Sequence, residues 1–433
     1  MINKDIKDYR EYEDEDEKIK IHSKSSHIGA RKRERREELL KQKKKSTSKT
    51  ITGIVSQLIK DGFLVYLNSE IFPVRIPKRL LQLMQKEKSF VAVGDTVELI
   101  YNEINKNYEF LSIGTRINEL KREYDNRAKI EQTFAANIDL VIIMASLAEP
   151  APRYSLIDRF VLASYRGGVE ASIVFNKIDL LSLDPSQLTE ILCMNERAER
   201  FIRFADCYDA ETRKHLIENK QFFMHNYFSQ VPAYHDDLYF NSLSQEEKQL
   251  SVKFRLQCEE IPSLRKIDDI WIFLSIARIY KDLGHNVIFS SIESMTGLEK
   301  IIEISRSKKV IFCGPSGVGK SSIINLIDRD AKQKVKEISE WSRKGRHTTT
   351  NARLIPWNDG CLIDTPGVRT FSLGDVTQPD YLFKEFAEEK SNCLLPKCRH
   401  IDEEGCAIIK CLENEKISHY RYQNYRKILL KKS

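Results

Sequence analysis

Eight residues limit what this chain can fold into more than any others: Gly314-Pro315-Ser316-Gly317-Val318-Gly319-Lys320-Ser321, which fits the phosphate-binding pattern G-x-x-x-x-G-K-[ST]. The run before it, Lys308–Cys313, is short and apolar and predicts a buried strand; Ser322–Ile327 predicts the start of a helix. A loop between a strand and a helix is the setting this pattern requires. Its glycines let backbone N–H groups close around phosphate oxygens, and the helix N-terminus adds positive field. Lys320 is placed to reach the terminal phosphates and Ser321 to hold magnesium, with Ser322 beside them on the nucleotide. A chance glycine-rich turn would not bring its own strand and helix.

Other mostly continuous apolar runs are Ile138–Ala145, Ala171–Phe175, Asn286–Ser290 and Cys361–Ile363, with helix-like segments such as Ser155–Arg166 and Ile270–Asp282 between several of them. That pattern predicts a parallel sheet covered on both faces. The run ending at Phe175 leads into Asn176-Lys177-Ile178-Asp179, the Asn-Lys-x-Asp of guanine recognition. A carboxylate at Asp179 can accept hydrogen bonds from guanine N1–H and its exocyclic amine. Adenine offers no matching donor pair, so the carboxylate would be left unpaired against ATP. Asn176 would tie the base loop to the phosphate loop, and Lys177 would pack over the nucleotide. Ser290-Ser291 ends another run and is placed for backbone contact to the base. Asp364-Thr365-Pro366-Gly367 matches D-x-x-G: Asp364 would reach magnesium through water, and the Gly367 N–H would sense the γ-phosphate. Gly345-Arg346-His347-Thr348-Thr349-Thr350 lies between the phosphate loop and this switch. One of its threonines should close on magnesium, and Thr349 is favoured.

The order of these motifs is diagnostic. An ordinary GTPase has its phosphate loop first and its base motif last. Here Asn176 precedes Gly314, and D-x-x-G comes at the end. The sheet is circularly permuted, a rewiring that loops and termini tolerate, and the second switch leads directly into whatever follows.

Length and composition fit several globular domains: 433 residues, 41% hydrophobic, 31% charged, net charge +7. No apolar run has the length of a membrane span, and the charged first twenty residues hold no signal-peptide core. Nine mostly scattered cysteines argue for a reduced, cytoplasmic protein without a disulfide framework. Residues 1–47 run from acidic Glu11–Glu17 to basic Arg31–Lys45 with few apolar side chains, so they predict a probably disordered charged tail, either an arm toward nucleic acid or a solubilising tail. Residues 48–117 hold five short β-rich runs, Thr50–Ser56, Gly62–Leu67, Ile71–Ile76, Thr96–Tyr101 and Tyr108–Ile113, with a turn at Val93-Gly94-Asp95. They predict an OB-type barrel. Such barrels often bind RNA, although no aromatic ladder is visible here. Residues 118–378 form the GTPase domain. Residues 379–433 contain Cys393-x4-Cys398-x-His400-x5-Cys406, three thiols and one imidazole suited to a closed structural zinc site, with Cys411 as a possible substitute. Lys397, Arg399 and Lys410, followed by Arg421, Arg426, Lys427, Lys431 and Lys432, make this end plausible as a phosphate-facing surface.

Barrel, permuted GTPase and Cys3His module together resemble the RsgA (YjeQ) family of ribosome-dependent GTPases. Local stretches carry the likeness: Ala136–Ser146, Ser155–Ser164, Gly314–Ser322, Gly345–Leu354, Ile363–Phe371 and Cys398–Ile408. The resemblance implies late maturation of the small ribosomal subunit with its rRNA as partner, GTP hydrolysis stimulated by that subunit, and a cytoplasmic location. A monomer without membrane contact is expected. The chain departs from the family in its long amino-terminal tail and in extra material at about residues 183–269, read as a helical subdomain (Glu190–Phe204, Ala210–Asn219) on the base-binding side. That insertion is either a new partner site or lineage decoration.

Many GTPases orient the attacking water with a Gln just after D-x-x-G. Here that position is Val368. His347 in the first switch is the candidate replacement, a role the resemblance also suggests; alternatively His347 only shapes its loop and the ribosome supplies the group. Two function classes follow. One is a GTP-hydrolysing assembly factor that binds the subunit in its GTP state and leaves on hydrolysis. The other is an RNA-binding scaffold that senses nucleotide without significant turnover. Intact Lys320, Ser321, Asp364 and Asp179 favour the first.

Overall fold

The computed structural model describes residues 50–77, 90–103, 105–125, 130–146, 150, 152–181, 183–220, 223, 245, 249, 262–327, 352–357, 359–365, 371–374, 376, 378–414 and 416–430. The expected charged tail lies outside them.

The chain begins with β1 (Thr50–Ile59), β2 (Gly62–Leu67), β3 (Glu70–Arg75), β4 (Thr96–Asn102) and β5 (Asn107–Ile113). β1 pairs antiparallel with β2 and β4, β2 with β3 and β4 with β5, while β3 meets β5 in parallel. The ring therefore closes in the order 1-2-3-5-4, the connectivity of the expected OB barrel. Alternation drives it: Val97 and Leu99 of β4 turn inward onto Val55, Phe63, Val65, Val74 and Phe110. Phe72, Tyr108 and Tyr101 form an edge-to-face chain across β3, β5 and β4, with centroids 4.9 and 5.2 Å apart. Phe72 and Tyr108 pack against the barrel core, while Tyr101 at the end of the row is exposed.

A hairpin follows, β6 (Glu119–Asp125) and β7 (Ile130–Ala136). Its alternation is hidden by charge in the sequence Glu-Leu-Lys-Arg-Glu, and it was not expected. The nucleotide-domain elements come next: β8 (Leu140–Ser146), α1 (Tyr154–Gly167), β9 (Glu170–Asn176), α2 (Pro185–Cys193), α3 (Arg197–Ala205), α4 (Ala210–Glu218), α5 (Pro262–Asp282), β10 (Val287–Phe289), α6 (Leu298–Ser305), β11 (Lys309–Cys313), α7 (Lys320–Ile327), β12 (Arg353–Trp357) and β13 (Gly360–Asp364). Their order across the sheet is β10-β9-β8-β11-β13-β12, parallel except for the antiparallel last strand β12. β8 shows why these strands read as unbroken apolar runs. Its Val141, Ile143 and Ala145 enter the core under α1 and α5, and its Leu140, Ile142 and Met144 enter the core under α6 and α7. At the other edge β12 touches β1 through the pair Arg353/Gln57, so barrel and sheet are continuous.

The expected single helix over Glu190–Phe204 is two. Backbone at Met194 is extended, and the carbonyls that a continuing helix would use are taken by arginines: Arg200 donates to Met194 O and Asn195 O at 2.8 Å, and Arg278 to Leu192 O and Met194 O. The inserted helices bring Phe201, Phe204 and Leu188 onto Trp271 of α5, inside the main core. α5 itself starts at Pro262, earlier than the expected Ile270. The chain ends with α8 (Lys384–Glu389), α9 (Ala407–Glu413) and α10 (His419–Leu430).

Candidate nucleotide and metal sites

The carboxyl ends of β9, β10, β11 and β13 converge, as ligand sites in parallel sheets require. The loop Gly314–Gly319 leaves β11 and enters α7 at Lys320. Gly314 has φ +140° and sits where a Cβ would lie 2.2 Å from Met144 O. Gly319 has φ +97°, and a Cβ there would strike the Asn176 amide at 2.4 Å. That amide donates to Val318 O at 2.8 Å, so Asn176 does tie the base loop to the phosphate loop. Ser290 Oγ donates in turn to Asn176 Oδ1 at 3.1 Å, and Ser291 Oγ to Asp179 Oδ1 at 2.5 Å. The two serines, expected to offer backbone, thus use their hydroxyls to orient the base-loop side chains. Ile178 is fully buried and its N–H donates to Ser290 O, locking the turn Ile178–Leu180 that presents Asp179. Lys177 holds φ +64° at the turn's start.

Asn176, Lys177 and Asp179 line a cleft of 620 Å³, together with Ser316, Gly317, Gly319, Lys320, Ser321 and Ser322; Ile178, Ser290 and Ser291 lie buried behind it. The volume suits a small ligand of nucleotide size. Pro315 and Val318 turn to the opposite side and, with Met144, Leu156 and Phe160, line a narrow apolar gap behind the loop. Leu180, Ile292 and Glu293 also line the cleft and were missed by sequence reasoning; their only signal is adjacency to Asp179 and Ser291.

Lys320 folds back on its own loop, donating to Gly314 O at 2.8 Å and Pro315 O at 2.6 Å. Burial holds its ammonium below the usual lysine range, against the pull of Cys313 and Asp364. Asp364 at the end of β13 is pushed above the ordinary carboxyl range by burial, opposed by the Thr365 N–H, Lys320 and Arg353. A cation beside it would restore the carboxylate. Arg353 lies across from Asp364 in the β12–β13 register, and its Nη2 is buried without a hydrogen-bond partner among the described residues. His347, Thr349 and Gly367 lie outside the described residues, as does Val368.

The ligand atoms of Cys393, Cys398, His400 and Cys406 lie within 4.8 Å of one another, an arrangement able to hold one metal ion. His400 Nδ1 is 3.6 Å from Cys393 Sγ and 3.4 Å from Cys406 Sγ. Tetrahedral zinc would set such N and S atoms about 3.6 Å apart. His400 Nε2 faces Asp380 at 4.0 Å, the outer carboxylate that metal-binding imidazoles usually have. Burial pushes the Cys398 thiol up to about 12, so it needs a cation to ionise. Burial would also raise Glu403, but backbone N–H groups of Ile401 and Arg399 hold it down at about 2, and their bonds fix the ligand loop. Cys411 is buried in α9 and is not among the four clustered ligands.

A permuted parallel sheet with a phosphate loop, base loop and D-x-x-G aspartate at one edge defines a P-loop GTPase. The family model described as RsgA GTPase matches residues 113–221 and 250–374, over half of the chain. The chain belongs to the RsgA GTPase family and is a GTP hydrolase. Among its relatives, the small ribosomal subunit biogenesis GTPase RsgA of Borreliella afzelii is 41% identical over 155 residues, 35% of this chain and 50% of that protein. The protein of the same description from Flavobacterium psychrophilum is 26% identical over 388 residues, 88% of this chain and 92% of that one. Two crystal structures share the fold: YjeQ from Thermotoga maritima (TM-score 0.51, 20% identity, covering 88% of this chain and 98% of that one) and YloQ, a circularly permuted GTPase (TM-score 0.51, 19% identity, covering 88% and 95%). Among the described residues no helix is long and apolar enough to cross a membrane.

Proposed function

We propose that this GTPase acts in late maturation of the small ribosomal subunit: it binds the subunit and its rRNA in the GTP state and leaves when the subunit stimulates hydrolysis to GDP. The observation that carries this reading is the packing of three modules on one another, a barrel joined to the sheet through β1 and β12 and a Cys3His segment held on α1 by Arg421 and Asn424. The work is cytoplasmic and the protein acts as a monomer. The residue assignments are Asp179, with Asn176, Lys177 and Ile178 behind it, for guanine; Ser290 and Ser291 for orienting that loop; and Gly314 to Ser322 for the phosphates. Ser321, Thr349 and Asp364 would hold magnesium, which screens phosphate charge when bound. Cys393, Cys398, His400 and Cys406 would hold one structural zinc.

The residues' part in hydrolysis is positioning and charge stabilisation. Lys320 exchanges the carbonyls of Gly314 and Pro315 for phosphate oxygens, so its ammonium is already aimed when GTP arrives. The Gly367 N–H senses the γ-phosphate, and His347 orients the water that Val368 cannot. The domain division supporting this is barrel 48–117, GTPase 118–378 with its insertion at about 183–269, and metal module 379–433. Sedimentation with purified subunits tests the reading: a non-hydrolysable GTP analogue should carry the protein into the small-subunit fraction, and GDP should not. Nucleotide-dependent binding without turnover would instead favour a sensing scaffold.

A further inference from the structure

We infer that Asp158 is a positioning residue that makes the metal module and the exit of the second switch one rigid body. This rests on the functional reading above, in which a partner engages the metal module. Asp158 lies on α1 and is fully buried. Its Oδ1 accepts from Arg421 Nη1 at 2.5 Å and from the Tyr280 hydroxyl at 2.6 Å, and its Oδ2 accepts from Asn424 Nδ2 at 2.5 Å. Arg421 and Asn424 belong to α10, Tyr280 to α5. Arg421 also grips Glu385 of α8, with Nε to Oε1 at 2.6 Å, and stacks over the Phe383 ring at 4.6 Å, so it is buried and does not belong to the phosphate-facing surface expected of it. One carboxylate therefore gathers two module helices onto α1.

The rest of α1 holds the chain that leaves D-x-x-G. Arg159 Nε donates to Phe371 O at 3.2 Å, and Arg166 Nη1 to Ser372 O at 3.4 Å. The Phe371 ring is fully buried against Phe160 of α1 at 4.8 Å and Phe134 of β7 at 5.3 Å. Ser372 N–H donates to Lys121 O on β6 at 2.8 Å. A buried arginine cannot slide away from Asp158 without leaving an uncompensated charge in the interior. Displacement of α10 must then carry α1, and with it Phe371 and Ser372. Neither Asp158 nor Arg421 lines the nucleotide cleft, so the contact acts on stimulation and not on binding.

Two measurements on the full-length protein test this. In hydrogen exchange, Asp158→Asn and the milder Asn424→Leu should speed exchange in α10 and also at the Ser372 amide, leaving β8 and β9 protected. Loosening confined to α10 would overturn the inference, and this readout does not depend on any ribosomal partner. In turnover assays, Asp158→Asn should lower subunit-stimulated kcat about tenfold while intrinsic kcat and GTP affinity stay within about twofold, an ordinary coupling free energy. The triple variant Asp158→Asn/Glu385→Gln/Arg421→Met removes every charge of this cluster, so none is stranded, and should regain thermal stability without regaining stimulation. Recovery of stimulation in step with stability would show that Asp158 is merely structural. Absence of stimulation in the wild type would defeat the functional reading while leaving the exchange result standing.

Discussion

At Asp179 a hydroxyl from the loop after β10, that of Ser291, holds the carboxylate over the cleft. Asp179→Asn should weaken GTP binding by about 10²-fold or more, because it sets a donor against guanine's donors, and should favour xanthosine nucleotides. Competition binding checks this; equal affinity of the wild type for ATP and GTP would refute the base assignment. Ser291→Ala should give a smaller loss, about threefold to tenfold, by freeing the carboxylate. A second residue-scale effect concerns His285, whose Nδ1 lies 3.0 Å from Ala171 O. Burial holds its pKa below the usual histidine value, partly opposed by that carbonyl. A depressed folded pKa means its contribution to stability is complete above the unfolded value of about 6.5 and is lost as pH falls through the folded one. The stability gap between wild type and His285→Gln should therefore narrow from pH 7.5 to pH 5 in denaturant titrations. A gap that stays constant or widens contradicts it.

At the scale of elements, the ligand loop of the Cys3His segment is fixed by backbone bonds to Glu403 and by its four ligands, while the helices around it bury Phe386, Ile408 and Tyr425 in the main core. One zinc per chain is expected by metal analysis of protein purified without chelator. Chelation or Cys398→Ser should loosen α8 to α10, seen as faster proteolysis after Lys390, while GTP binding is retained. Protein without zinc that keeps this segment protected would remove the assignment. The same scale shows what was legible in the sequence. β8, β9 and β11 were readable because burial on both faces leaves an unbroken apolar run, and the barrel strands because turns punctuate them. β12 and the β6–β7 hairpin were not: Arg353-Leu-Ile-Pro-Trp contains a proline, which fits because β1 meets β12 only at Arg353 and does not pair with Pro356, and the hairpin's alternation is masked by charges that pair with α1. The helix break at Met194 was invisible because it is set by Arg278, far away in sequence. In the site, the motif residues could be named in advance. The roles of the Ser290 and Ser291 hydroxyls could not, since only the strand register brings them to Asn176 and Asp179.

On the scale of the whole molecule, the permutation matters because it places the second switch between the sheet and the metal module, while the barrel joins the strand that follows the first switch. On the proposed mechanism, ordering both switches would depend on both flanking modules. GTP should tighten subunit binding and GDP weaken it, by the same factor that subunit binding favours GTP over GDP. Lys320→Ala should weaken nucleotide binding itself. His347→Ala should keep GTP-dependent subunit binding yet lose most stimulated turnover, about 10²-fold or more for a group that positions the attacking water. The measurement that bears most directly on the account is single-turnover GTP hydrolysis by wild type and His347→Ala, each alone, with small subunits and with large subunits. The account predicts strong stimulation of wild type by small subunits only, and little in His347→Ala despite retained binding. Equal stimulation by large subunits, or undiminished stimulation of His347→Ala, would contradict it.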